Sequence, residues 1–205
     1  MVNTENLDNT QARIKQAARI IFLKKGLDGA RTQEIADLAG ANPTLIPYYF
    51  KTKHKLFEII LVEEFAGIIA RIEKIVNDQG TPFEIKVQKL VDVCSDMVLE
   101  SPHLPIYSVS VIRKGNSAVI NYTKQMRNML HQSVMAGQLR QEVAAGTLKP
   151  IGIAHVLINL LGLAIFPALA APILQIMGDM KEEDYAQLIK SRQQHVAEWV
   201  LQSLR

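Results

Sequence analysis

Apolar residues recur at three- and four-residue steps along most of this chain, and no alternating pattern runs for more than a few residues. That periodicity predicts an all-α fold with no internal repeat. A first helix is expected around Thr10 to Lys25. A second opens at Thr32, its cap, and places Ile35, Ala36 and Ala39 on one face with Glu34 and Asp37 turned away. Gly40 marks a tight corner, and Asn42 followed by Pro43 reads as a cap and first residue of a third helix. There Leu45, Ile46 and Phe50 supply the buried side, leaving Pro43, Thr44, Pro47 and Tyr48 outward. From Lys53 to Val76 a long apolar-periodic run predicts one rod joining two halves of the molecule. Thr81, Pro82 and Glu84 form a capping-box pattern for a helix to about Glu100. Further helices are expected at Ile106 to Lys114, Ser117 to Ala136, a proline-interrupted apolar stretch from Ile151 to Gly178, and Glu182 to Leu204. Ala144 to Pro150 reads as a loop.

Two short helices joined by a glycine corner are too small to hold a pocket, but they suit a DNA major groove, with the second helix presenting its N-terminal residues to base edges. The flanking chemistry points to a polyanion. Tyr48 and Tyr49 carry hydroxyl donors, and Lys51, Lys53 and Lys55 follow at once. Another helix opening at Thr52 or Lys53 adds free amides and a positive dipole end.

In the segments IKQAARIIFLKKG, TQEIADLAG and LIPYYFKTKHKLF, covering roughly the first third, the chain resembles the TetR/AcrR family of bacterial transcription regulators. The resemblance implies phosphate contacts from Thr32, Tyr49 and Lys53, and base or groove contacts from Gln33, Pro43, Thr44 and Tyr48, with Asn42 and Pro47 on the same face. It also implies a DNA-binding unit at residues 9–55, with its motif at 32–50, and a helical effector-binding and dimerisation unit at 56–205. One position departs: Pro47 stands where the family commonly has tyrosine. With Pro43 as first helical residue, Pro47 deletes the amide that would bond back to the Pro43 carbonyl. The recognition helix is therefore expected to be short, kinked, or started one or two residues later.

Charge sharpens the picture. The formal net charge of +3 is confined to the N-terminal part, where residues 1–60 hold nine Lys/Arg against six Asp/Glu. Cys94 is the only cysteine, which excludes an intrachain disulfide and a cysteine-built metal site. No glycine-rich phosphate loop, nucleophile elbow or zinc-protease spacing occurs, so neither an enzyme, a metal nor a cofactor is expected. Residues 1–10 lack signal-peptide character, which gives a cytoplasmic expectation, and disorder is expected over about the first eight. The charge-free stretch Ile151 to Gly178 is long enough to span a bilayer, but Pro167 and Pro172 break it, so a buried helix at a protein interface is the favoured reading. His155 within it reads as a buried, hydrogen-bonded histidine.

The body after the DNA-binding unit carries two further expectations. Cys94, Met97, Tyr107, Tyr122, Met126 and Phe166 are candidates for lining an effector cavity between helices, against the alternative that such residues are simply core. Ile158, Leu161, Ile165, Leu188, Arg192, Val196 and Trp199 are candidates for a homodimer interface built from the last two long helices, against the alternative that one helical body covers them itself. The family implies a homodimer that binds a double-stranded DNA operator, senses a small-molecule effector and releases the DNA, most simply as a repressor. The competing reading is a DNA-binding interaction factor whose body holds another protein and senses nothing. A fillable apolar cavity separates the two.

Overall fold

The computed structural model describes residues 4–205, with side-chain surroundings from residue 9 onward except at Ser117. Part of the expected N-terminal disorder, at residues 1–3, lies outside the described residues; from Thr4 the backbone is already helical. Eleven helices and no strand occur among the described residues, so the all-α expectation holds.

Helix α1 (Thr4–Gly29) bends at Gly26, whose φ of 69° and ψ of −176° leave the helical region. Helix α2 (Thr32–Ala39) begins after Arg31, so Thr32 is its first residue rather than its cap. Gly40 closes it in the left-handed conformation. The Gly40 and Ala41 amides donate to the Asp37 and Ala36 carbonyls at 3.2 and 3.0 Å, the crossed pair of bonds that a glycine with positive φ permits.

Helix α3 (Leu45–Phe50) starts two residues later than a Pro43 start would give, as Pro47 requires. The Asn42 side chain does not cap the helix itself. Its Oδ1 accepts from the Thr44 amide at 2.9 Å and the Thr44 hydroxyl at 2.7 Å, forming a tight turn that feeds it. The Pro43 carbonyl takes the Ile46 amide at 3.2 Å in place of the missing one at Pro47. Counted from Leu45, Pro47 lies in the first turn, where its lost donor has no intrahelical partner to miss.

Helix α4 (Lys53–Asn77), capped by the Thr52 hydroxyl accepting from the Lys55 amide at 3.0 Å, is the predicted rod. Its first turns (Leu56, Phe57, Ile60, Leu61) pack into one core with α1 to α3, and its last buried residue, Val76, belongs to a second core. The second core is built by α5 (Phe83–Glu100), α8 (Val134–Ala144), α9 (Ile153–Leu169) and α11 (Glu182–Leu204). Between them, α6 (Leu104–Arg113) and α7 (Ser117–Gln132) send Leu104, Val111 and Val119 into the first core. The single helix expected from Ser117 to Ala136 is two, because Ser133 leaves the helical conformation and caps α8 through its hydroxyl.

Two local readings are corrected. Pro82, not Thr81, precedes the first residue of α5, and the Thr81 hydroxyl bonds the Asp78 carboxylate instead of capping. The apolar stretch breaks not at Pro167 but at Ala170, where α9 and α10 (Ala171–Met177) meet at 69°. Pro167 sits inside α9, and α11 supplies a donor to the carbonyl its ring leaves unserved. Arg192 Nη2 donates to the Leu163 carbonyl at 3.3 Å, the acceptor that a residue-167 amide would have served. The Tyr185 hydroxyl donates to the Pro167 carbonyl at 2.7 Å. Among the described residues no single helix is long and apolar enough to cross a membrane; α9 and α10 reach that length only as the bent pair. His155, expected inside, is exposed.

Candidate nucleic-acid interface and an apolar cavity

Five of the nine residues proposed for DNA come together around one shallow concavity between the start of α2 and α3: Thr32, Pro43, Thr44, Pro47 and Lys53, floored by Ile46. Around it Gln33 is exposed and Tyr48 stands 72% exposed, while Asn42 shapes the turn from below. This is an exposed edge of hydroxyl, amide and phenol groups carried on α2 and α3, the kind of surface that meets base edges and phosphates together.

Two side chains assigned to phosphate have other work in this conformation. Lys53 Nζ donates to the Leu27 and Ala30 carbonyls at 2.9 and 2.8 Å, tying the end of α1 to the start of α4. An ammonium has three donors, so one remains for a phosphate. The Tyr49 hydroxyl is shielded from solvent and has no hydrogen-bond partner among the described residues, and its ring packs against the first core. As it stands, Tyr49 is a packing residue, and Tyr48, in edge contact with it at 5.0 Å, is the phenol that faces out. Lys51 is exposed, with φ 66° and ψ −54°, and the Thr52 amide donates across it to the Phe50 carbonyl at 2.7 Å. That is the strained three-residue turn, seldom adopted by a residue with a side chain.

Behind this interface lies a cavity of about 200 Å³ bounded by α4, α5, α6, α7 and α9. Of the six effector-site candidates, Cys94, Met97 and Met126 lie in its wall. Ile68, Ile69 and Ile72 of the α4 rod form a wall that the sequence reading passed over; the adjacent isoleucines, broader than one packing stripe, were the available signal. Among the described residues the only polar one in the lining, Ser108, spends its hydroxyl on the Leu104 carbonyl, and none of them brings a charge to the chamber. Burial pushes the Cys94 thiol up to about 12, keeping it neutral.

Tyr107, Tyr122 and Phe166 do not line this cavity. Phe166 is 59% exposed on the outside of α9, and Tyr122 is half-buried elsewhere on α7. Tyr107 points the other way along α6, into the joint with the DNA-binding unit. Its hydroxyl accepts from the Leu27 amide at 3.2 Å, and its ring packs edge-on against Phe57 at 4.8 Å. A Cβ at Gly26 would stand 3.0 Å from that ring, so the glycine serves both the positive φ and the close approach. Leu27 is therefore gripped twice, by Tyr107 through its amide and by Lys53 through its carbonyl.

The proposed dimer residues also divide. Ile158, Leu161, Leu188 and Trp199 are exposed apolar residues. Leu161 and Ile165 line the cavity, and Val196 is 1% exposed inside the body's own core, so Val196 has no surface to offer a partner. Arg192 bonds α9 and stacks its guanidinium 5.1 Å from the Trp199 ring centre, an intrachain role. Sequence reading also missed Lys86, wholly buried, with Nζ on Gln138 Oε1 at 2.9 Å and its affinity for a proton lowered by desolvation.

Residues 14–60 match the model of the bacterial regulatory proteins, tetR family. The HTH-type transcriptional repressor NicS of Pseudomonas putida is 30% identical over 149 residues, 72% of this chain and 68% of that protein. The HTH-type transcriptional regulator TtgR of Pseudomonas putida is 26% identical over 155 residues, covering 69% and 73%. Among solved structures, a TetR/AcrR-family regulator from Thermobifida fusca superposes with a TM-score of 0.64 at 17% identity, covering 93% of this chain and 96% of that one. FadR of Bacillus subtilis in complex with stearoyl-CoA does so at 0.57 and 18%, covering 91% and 97%. With the helical pair, the glycine corner and the exposed recognition edge already in place, these matches show that the chain belongs to the TetR family of DNA-binding bacterial transcription regulators.

Proposed function

We propose that the protein is a ligand-responsive repressor that binds a palindromic operator as a homodimer and is released by a small apolar or amphipathic effector. In this reading residues 9–55 read DNA and residues 56–205 sense and dimerise. The observation that carries it is the α4 rod, which walls the apolar cavity at Ile68, Ile69 and Ile72 and carries Lys53 beside the recognition edge at its other end. A ligand that wedges the cavity displaces the rod and, through α6 and Tyr107, the end of α1. The spacing of two recognition helices across a dimer then no longer matches half-sites one helical turn apart. Ligand and operator favour different conformers, a reciprocal coupling of about 1 to 3 kcal/mol in typical cases. A cavity of this kind supports sensing over a purely scaffolding body. The exposed apolar residues of α10 and α11, among them Ile173, Ile176 and Trp199, support a partner subunit there.

Selection of bound duplexes from random oligonucleotides, followed by retention with and without candidate ligands, tests the reading. A two-fold symmetric site, lost on ligand addition, is expected. Unchanged affinity with every ligand that binds, or a monomer mass by light scattering at micromolar concentration, refutes it.

A further inference from the structure

A second space lies beside the charge-free cavity, with Met126 in the wall of both. It is an open groove between α7 and α9, and one face of α9 walls the two in succession, Leu161 and Ile165 in the cavity and Ile158 in the groove. The groove differs in one respect: Lys124, Arg127 and His131 border it. These lie three and four residues apart on one face of α7 and span about 10 Å along the helix. None of the three has a carboxylate partner among the described residues, and the Arg127 guanidinium bonds only the neighbouring Asn128 side-chain oxygen, at 3.2 and 3.4 Å.

We propose that cavity and groove form one site for an anionic amphiphile, its alkyl chain in the cavity and its carboxylate or phosphate head over Lys124, Arg127 and His131. This rests on the reading of the body as a ligand sensor and narrows it, because the chamber alone cannot neutralise a charged ligand. The apolar wall rejects a head group inside, since an unpaired charge there would lose its hydration without replacement. The groove supplies cations just past Met126, where the head would emerge. Arginine suits a planar two-oxygen anion, and lysine adds a point charge.

The test uses the full-length protein and three ligands of equal chain length: decanoate, decyl phosphate and decanol, titrated by calorimetry at low ionic strength. The anions are expected to bind about tenfold tighter than the alcohol, and added salt to erode that margin. The double variant Lys124→Gln with Arg127→Gln should lose the margin while keeping wild-type affinity for decanol, which also reports an intact cavity. Equal binding of alcohol and anions, an undiminished margin in the double variant, or binding of none of the three overturns the proposal. Retention of DNA measured in parallel separates the two readings. Anions that bind without releasing the operator sink the sensing function and leave the site assignment standing. Release by decanol equal to that by decanoate does the reverse.

Discussion

Replacing Tyr107 by phenylalanine removes one oxygen from the joint between the body and the DNA-binding unit. Gly26 turns the chain out of the helix, so the α1 ladder is interrupted where Leu27 follows, and the Leu27 amide finds the Tyr107 hydroxyl at 3.2 Å. Phenylalanine keeps the ring against Phe57 and against Gly26, so the change removes only what the hydroxyl makes, the bond from the Leu27 amide and a longer one to the exposed Asp28 carboxylate at 3.5 Å. A partly buried amide left without an acceptor costs about 1 to 2 kcal/mol. For a chain of this size, roughly 2 to 4 °C of melting temperature goes with each kcal/mol, so Tyr107→Phe should melt about 2 to 8 °C lower. Calorimetric or circular-dichroism melting measures this directly. Because Lys53 holds the other side of Leu27, Tyr107→Phe and Lys53→Met should be non-additive by more than about 0.5 kcal/mol in a double-mutant cycle. A Tyr107→Phe melting temperature within about 0.5 °C of wild type, or strict additivity with Lys53→Met, would show that the joint is not built as described.

Lys51→Gly relieves a left-handed backbone, a gain of about 1 to 2 kcal/mol set against roughly 0.5 to 1 for the greater freedom of unfolded glycine, so urea unfolding should show a small net stabilisation. Gln33→Ala or Thr44→Ala should alter which duplex is preferred in a selection, whereas Lys53→Met should weaken all duplexes together and flatten the salt dependence by about one phosphate contact; identical effects from all three would overturn the division of roles. The Cys94 thiol, held neutral up to about pH 12 and buried, should react with a maleimide at pH 8 far more slowly in the native protein than in urea. An alkyl ligand in the cavity should slow it further, and equal rates in all three states would remove Cys94 from the cavity wall.

Much of this molecule was legible in short stretches of sequence, because the signals involved act within a few residues. Ile35, Ala36 and Ala39 define a face by spacing alone, Gly40 ends a helix by its freedom at positive φ, and Pro47 shifts the start of α3 by the single amide it lacks. The final helix, Glu182–Leu204, matched its predicted bounds. The same periodicity says that a face is apolar without saying what covers it. Val196 and Trp199 stand one turn apart in the sequence pattern, yet only the packing of α5 and α9 against α11 makes the first core and leaves the second partly outside. Tyr107 looked like a cavity residue until the fold brought it to Leu27, 80 positions away. Arg192 looked like an interface residue until Pro167 left the Leu163 carbonyl in need of a donor. Local chain chemistry set the helices and the exposed edge of α2 and α3; the choice of partner for each long polar side chain waited on tertiary packing, since a donor goes to whichever unsatisfied acceptor the assembled helices bring within reach.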